Sequence, residues 1–74
     1  TEFNVYPNPA RDVIYIKTEK WSTIRLCDIQ GKLLTETLTN NKVTALNISA
    51  WSPGTYLIYM ENQNTNRRHK ILIE

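Results

Sequence analysis

The chain has 74 residues, which is enough for one small domain with a single core. Nineteen residues are Leu, Ile, Val or Phe, about a quarter of the chain, which is above the level of about 20% that is typical of disordered sequences. A net charge of +2 argues against a nucleic-acid partner, and a single cysteine excludes an internal disulfide. Apolar runs stay far below the length of a membrane span, so we expect no membrane insertion.

The first half of the chain shows the alternation of apolar and polar residues that is typical of short strands. The predicted strands there are 3–6, 12–17 and 22–29. Ile14 and Ile16 share one face of the second, while Ile24 and Leu26 share one face of the third, with Cys27 on its opposite face. The tripeptide Pro7-Asn8-Pro9 is predicted as a turn or crossover, because neither proline can donate to a sheet.

The second half continues the pattern, with predicted strands 32–39, 43–48, 55–61 and 67–73. Between strands, we predict a hairpin turn at 28–32 with Gly31 at positive φ, a turn at 40–41, and loops at 49–54 and 62–66. Segment 32–38 lacks a helix cap and is assigned as a strand, although Leu33 and Leu34 point to opposite faces. About seven strands with closely spaced turns predict an antiparallel β-sandwich.

No residue combination predicts an enzyme. His69 has no nucleophile and carboxylate at a recognisable spacing, and no second metal ligand lies near it, so we interpret it as an ordinary strand histidine. Cys27 is interpreted as a small, semi-buried apolar residue. We therefore expect no catalytic residue, no metal site and no cofactor.

The two tryptophans lie near turns and leave two interpretations open. We expect Trp21 and Trp51 each to cover an open end of the core. In the alternative, Trp21, Trp51 and Tyr59 form a platform that stacks on sugar rings, as in an adhesion or carbohydrate-binding module.

The last strand carries a basic cluster that is predicted to face solvent. Alternation places His69, Ile71 and Ile73 inward, with Arg68, Lys70 and Leu72 outward. Exposed cations on an edge strand favour a solvated face that blocks pairing between molecules, and a docking role is the alternative. The cluster also includes Arg67. Further cations lie elsewhere in the chain, at Lys17, Lys20, Arg25 and Lys32.

Four stretches, at 5–16 (VYPNPARDVIYI), 25–34 (RLCDIQGKLL), 46–58 (LNISAWSPGTYLI) and 68–73 (RHKILI), carry a resemblance to a known family. Together they resemble the type A C-terminal sorting domains of the type IX (Por) secretion system of Bacteroidetes. The resemblance spans essentially the whole chain. It implies an immunoglobulin-like antiparallel β-sandwich that serves as a non-catalytic secretion signal.

The family resemblance also implies partners and a route. Such a domain ends a cargo protein that passes through the periplasm, crosses the outer membrane through the type IX translocon, and reaches the cell surface. There a sortase-type peptidase removes the domain. Because the sequence has no initiator Met or leader, we expect residues 1–74 to be a single domain cut from the end of a larger cargo.

The resemblance assigns family motif positions that are candidates for recognition by the machinery. We expect the last strand to be the main recognition element, through its exposed backbone edge and Lys70. The turn residues among the candidates leave two interpretations open, a structural role and direct contact, since Pro7 and Pro9 fix φ and Gly31 and Gly54 relax it. The thirteen candidates are Pro7, Asn8, Pro9, Asp28, Gly31, Lys32, Gly54, Tyr56, Arg68, Lys70, Ile71, Leu72 and Ile73.

Overall fold

The computed structural model describes residues 2–19, 21–63 and 65–74. This part of the chain contains seven strands and no helix. All seven predicted strands are present, with ends that differ by one residue at most. The strands are β1 Phe3–Tyr6, β2 Val13–Thr18, β3 Ser22–Asp28, β4 Leu33–Thr39, β5 Val43–Asn47, β6 Gly54–Glu61 and β7 Asn66–Ile73.

The strands form two antiparallel sheets. One sheet has the order β1-β2-β5 and the other the order β4-β3-β6-β7. This arrangement, with β1, β2 and β5 facing the remaining four strands, is that of an immunoglobulin-like sandwich. The predicted fold class is confirmed.

The core lies between the sheets and is mostly isoleucine. The inward alternation that the sequence predicts is confirmed on β2, β3, β6 and β7, because β-branched residues at every second position fill one face of a pleated strand. The buried apolar residues of this core are Phe3, Ala10, Ile14, Ile16, Ile24, Leu26, Ile48, Ile58, Met60, Ile71 and Ile73.

Strand β4 directs threonines, and not leucines, towards the core. Thr35 and Thr37 are the register partners of the buried Leu26 and Ile24, so the threonines lie on the core side. Leu38 lies on the outer face and is 67% exposed. The pairing of β3 with β4 shifts by one residue between Leu26 and Cys27. Because a shift of one residue moves the following side chains of a strand to its other face, this irregularity sets the phase of β4 from Thr35 onward.

Cys27 lies in the outward phase of β3 but is only 7% exposed. Its register neighbours are Leu33 on β4 and Leu57 on β6. The prediction of a small, partly buried apolar residue is therefore confirmed, with more burial than expected.

Three residues that enter the sequence predictions lie outside the described residues: Thr1, Lys20 of the basic set, and Asn64 of the predicted loop 62–66. Among the described residues, no helix has the length and apolar character needed to cross a membrane.

Candidate functional site

The four family motifs meet at one end of the four-stranded sheet, which we call the motif end. Strand β3 ends at Asp28, β6 begins near Tyr56 and β7 ends just after Ile71. In register, Asp28 pairs with Tyr56, and Tyr56 pairs with Ile71. Antiparallel pairing thus places residues from three distant motifs in one row across the sheet.

The turn at Pro7-Asn8-Pro9 extends the motif end along the outer edge of β7. The Asn8 side chain donates to the carbonyl of Lys70 at 3.3 Å and accepts from the N–H of Leu72 at 3.0 Å. Both X-Pro bonds of this turn, Tyr6-Pro7 and Asn8-Pro9, are cis. Through its two hydrogen bonds, the amide of Asn8 binds β7 as the backbone of a neighbouring strand would.

Ala10 continues this contact towards the end of β7. Its N–H donates to the carbonyl of Leu72 at 2.9 Å, and its carbonyl accepts from the N–H of Glu74 at 2.8 Å. Ala10 is also joined to Ile73 by an isolated parallel bridge. Together, Asn8 and Ala10 cover the outer edge of β7 from the Lys70 carbonyl to Glu74.

The predicted edge pairing of β7 with a partner is restricted by this cover. Backbone groups of alternate residues in an edge strand point away from the sheet, and on β7 those of Leu72 do so. The same alternation aims the backbone groups of Arg68 outward, beyond the reach of the Asn8 and Ala10 contacts. Among the described residues, Asn8 and Ala10 thus leave the half of this edge near Arg68 uncovered.

The turn between β3 and β4 explains the Asp and Gly of the middle motif. One carboxylate oxygen of Asp28 accepts from the N–H groups of Gln30 and Lys32, each at 2.9 Å. The N–H of Gly31 donates to the Asp28 carbonyl at 3.0 Å, and Gly31 has φ of 90°, as predicted. These are the contacts of a three-residue hairpin loop closed by a glycine, so Asp28 and Gly31 have structural roles here.

Tyr56 makes a contact that sequence reasoning missed. Its hydroxyl donates to the carbonyl of Ser52 at 2.5 Å, and its ring lies 5.3 Å from that of Trp51. A tyrosine near the start of this strand that bonds back to the backbone is the tyrosine corner of sandwich domains. The available signal was the tyrosine two residues after the Pro-Gly turn. Gly54, which lies between Ser52 and Tyr56 in the sequence, has φ of 152°.

His69 joins the two sheets. Its Nε2 lies 2.7 Å from the carbonyl oxygen of Phe3, and the two rings are 4.7 Å apart. Since a carbonyl only accepts, Nε2 carries the proton in this contact. The interpretation of His69 as a structural strand histidine agrees with this position.

The predicted inward and outward faces of β7 are both observed. Ile71 and Ile73 are buried and His69 is half-buried, whereas Arg68, Lys70 and Leu72 are exposed. Among the described residues, neither Arg68 nor Lys70 forms a salt bridge. Lys32, at the other side of the motif end, is exposed as well. The candidate recognition residues therefore divide into buried or turn-forming residues and these outward side chains.

The aromatic platform of the alternative interpretation does not form. Trp51 packs against the core near the motif end, while Trp21 precedes β3 at the opposite end. Seven strand residues separate these ends, about 20 Å at the usual strand rise. The expectation that Trp21 covers the core was wrong, because its side chain is 59% exposed.

Within the described part of the chain, no group of three or more His, Cys, Asp or Glu side chains is placed to hold a metal ion.

Comparison with protein families gives one match that spans almost the whole chain. The model described as "Secretion system C-terminal sorting domain" matches residues 4–74. The matched region includes all four motifs and every contact of the motif end described above.

Two individual proteins are also similar to the chain. An endo-acting ulvan lyase of Formosa agariphila is 32% identical over 76 residues, which cover 99% of this chain and 15% of the lyase. A solved structure of PorZ, described as an essential bacterial surface component of the type IX secretion system of Porphyromonas gingivalis, superposes with a TM-score of 0.75 at 20% identity. It covers 97% of this chain and 11% of the PorZ chain, and it supports the fold. The chain thus spans a small part of each relative.

Proposed function

Because the chain belongs to the family of secretion system C-terminal sorting domains, which are secretion signals of the type IX system, we propose that it directs an attached cargo through that system's outer-membrane translocon. The cargo precedes residue 1 and reaches the periplasm before the translocon receives it. A sortase-type peptidase then removes the domain at the cell surface. The domain itself performs no catalysis and requires no cofactor.

The observation that carries this proposal is the convergence of four distant motifs at the motif end. Asp28, Tyr56 and Ile71 form one row only when β3, β6 and β7 are paired. Asn8 reaches Lys70 and Leu72 only when the chain is folded. A receptor that binds this end therefore distinguishes a folded signal from an unfolded one.

The motif residues divide between shaping the signal and contacting the receptor. Asp28, Gly31, Gly54 and Tyr56 are engaged in turns, and the isoleucines of β7 lie in the core. We assign direct contact to the outward side chains of β7, Arg68 and Lys70. Their side chains project from the same face, and neither forms a salt bridge with the residues that the structure describes.

A fusion protein tests the proposal. Residues 1–74 are placed after a passenger that carries a periplasmic leader, and the fusion is expressed in a type IX-competent host and in the same host without the translocon. We expect the passenger outside the competent cells, shortened by the mass of the domain, and retained in the mutant. Retention in the competent host, with the domain folded, would falsify the sorting function.

A matched variant separates folding from secretion. Ile58 is fully buried in β6, and Ile58→Asp places an unpaired carboxylate in the core. We expect this fusion to stay in the periplasm even of the competent host. Export of the unfolded variant would contradict recognition of a folded signal. Release of the passenger at full length would contradict removal by a peptidase while leaving export intact.

A further inference from the structure

The two sides of the sandwich are closed to different degrees. On one side, His69 binds Phe3, and Asn8 and Ala10 cover the edge of β7. On the other side, β4 is the edge of its sheet, and no strand of the described chain pairs with its outer side. The side chain of Thr39 meets that of Thr44 there at 2.9 Å, which joins the two sheets but leaves the backbone edge of β4 uncovered.

The register identifies which backbone groups form this uncovered edge. Leu72 directs its backbone groups away from β6, so the alternate residues of β7 pair with β6. Along each strand, the backbone N–H and C=O groups of successive residues point to alternate neighbouring strands. When this alternation is followed from β7 through β6 and β3, the backbone groups of Thr35 and Thr37 point towards β3. Those of Glu36 and Leu38 therefore point outward.

Strand β4 lacks the features that usually protect an edge. Lysine and proline are absent from Leu33–Thr39, and the bulge lies at its beginning, so the stretch from Thr35 onward is regular. Leu33 is 50% exposed and Leu38 67%. A regular strand with exposed leucines is a template for pairing with another strand.

The one charge on β4 is already balanced within the domain. The Glu36 carboxylate lies 2.5 Å from Nε of Arg25, which also contacts Glu61 at 3.2 Å. The hydrogen bond to Glu36, followed by that to Glu61, raises the pKa of Arg25 above its usual value. The side chain of Glu36 thus stays on the outer face and leaves the backbone edge accessible.

We propose that β4 pairs antiparallel with β4 of a second copy of this chain, which joins the two four-stranded sheets into one sheet of eight. Charge and strand overlap together select the register. With Glu36 opposite the partner's Leu38, no like charges face each other, and residues 35–39 of both strands pair. A shift of two residues in one direction places the two Glu36 carboxylates in direct opposition, and a shift of two residues in the other direction leaves only residues 37–39 paired. In the selected register the two-fold axis passes beside Thr37.

The contact is expected to be weak. Two seven-residue strands bury less than the roughly 1,200 Å² of a standard stable interface. Sedimentation of the 74-residue chain from micromolar to millimolar concentration should therefore show a dimer fraction that rises with concentration. A chain that stays monomeric over the whole range overturns the proposal, and so does binding of extended peptides without self-association.

Charge variants at Leu38 test the register. Leu38→Glu faces the partner's Glu36 at two symmetric positions, so we expect association to weaken roughly tenfold. Leu38→Lys faces the same carboxylates with opposite charge and should retain the dimer. Equal loss in both variants overturns this register. Leu72→Glu is the matched control, because Leu72 is 42% exposed on the covered edge, and it should associate like the unchanged chain.

A cross-link gives a second, independent readout. In the proposed dimer the two Thr37 residues face each other with Cα atoms about 4.5 Å apart, within the range of a disulfide. Thr37→Cys should form a covalent dimer on oxidation, whereas Thr35→Cys, on the same face of the same strand, should remain monomeric. Equal cross-linking of both variants overturns the register. Unchanged unfolding midpoints show that all variants are folded.

Discussion

The side-chain oxygen of Asn8 accepts a hydrogen bond from the backbone N–H of Leu72 at 3.0 Å, across 64 residues of sequence. The same side chain donates to the carbonyl of Lys70. One amide thus satisfies two outward backbone groups of the last strand. This contact connects the first family motif to the fourth, and it explains why an asparagine suits the position between two prolines.

Removing the Asn8 amide should loosen the end of β7. Asn8→Ala leaves the Leu72 N–H to water, so we expect a loss of about 0.5–1.5 kcal/mol in the free energy of unfolding. Hydrogen exchange should accelerate more at Leu72 than at Ile58, whose exchange in the core rises only with the loss of global stability. Asn8→Asp keeps the acceptor for Leu72, so slow exchange there should persist. Equal exchange in the original chain and Asn8→Ala would show that the contact is not maintained in solution.

The tyrosine corner should contribute measurably to stability. Tyr56→Phe removes the hydrogen bond to the Ser52 carbonyl while keeping the ring packed on Trp51, so we expect a cost of about 0.5–1.5 kcal/mol in urea unfolding. Tyr59→Phe is the matched control, because the Tyr59 hydroxyl forms no hydrogen bond with the described residues. Equal effects at both tyrosines would contradict a specific role for the corner.

The two glycines at positive φ should resist substitution although space surrounds them. No atom lies within 4 Å of a Cβ built at Gly31 or Gly54, so steric contact does not oppose a side chain. Backbone strain alone should make Gly54→Val cost about 1 kcal/mol or more, as thermal unfolding can measure. Gly31→Asn should cost less than Gly31→Ala, since asparagine tolerates positive φ. An unchanged midpoint for Gly54→Val would place that residue in an ordinary conformation.

The outward cations of β7 should matter for export and little for folding. Exposed charges contribute about 0–1 kcal/mol, so Arg68→Ala with Lys70→Ala should keep the unfolding midpoint. We expect export of a fused passenger to fall. Lys42→Ala removes an exposed cation between β4 and β5 and should be exported normally. Full export of the double variant would show that the basic side chains are not read, and would direct attention to the backbone near Arg68.

Strand positions and most faces were predictable, because alternation in β2, β6 and β7 is a local property of the sequence. The hairpin at Asp28–Lys32 was predictable for the same reason, since turn chemistry is contained in five residues. The reversed phase of β4 was not, because its leucines and threonines fit either face. Only pairing with β3, including the shift beside Leu26, decides which side meets the core.

The geometry of the candidate site was not predictable from the sequence. The family resemblance named Asn8, Tyr56 and Lys70, yet it gave no sign that Asn8 binds β7. Contacts across 62 and 64 residues depend on the closed sandwich, which no local pattern encodes. For the same reason, alternation predicted the exposed Lys70 correctly but overestimated how much of the β7 edge is free.

The bridge between Ala10 and Ile73 has a consequence for biosynthesis. During translation, Ala10 leaves the ribosome long before Ile73. The segment around Ala10 therefore stays unpaired until β7 has emerged. A chain interrupted upstream of Leu72 lacks both the acceptor for Ala10 and the donor for Asn8, and its motif end stays unassembled. Completion of this contact therefore reports that translation has passed through the last strand, and a secretion machinery that requires the folded end would leave truncated products inside the cell.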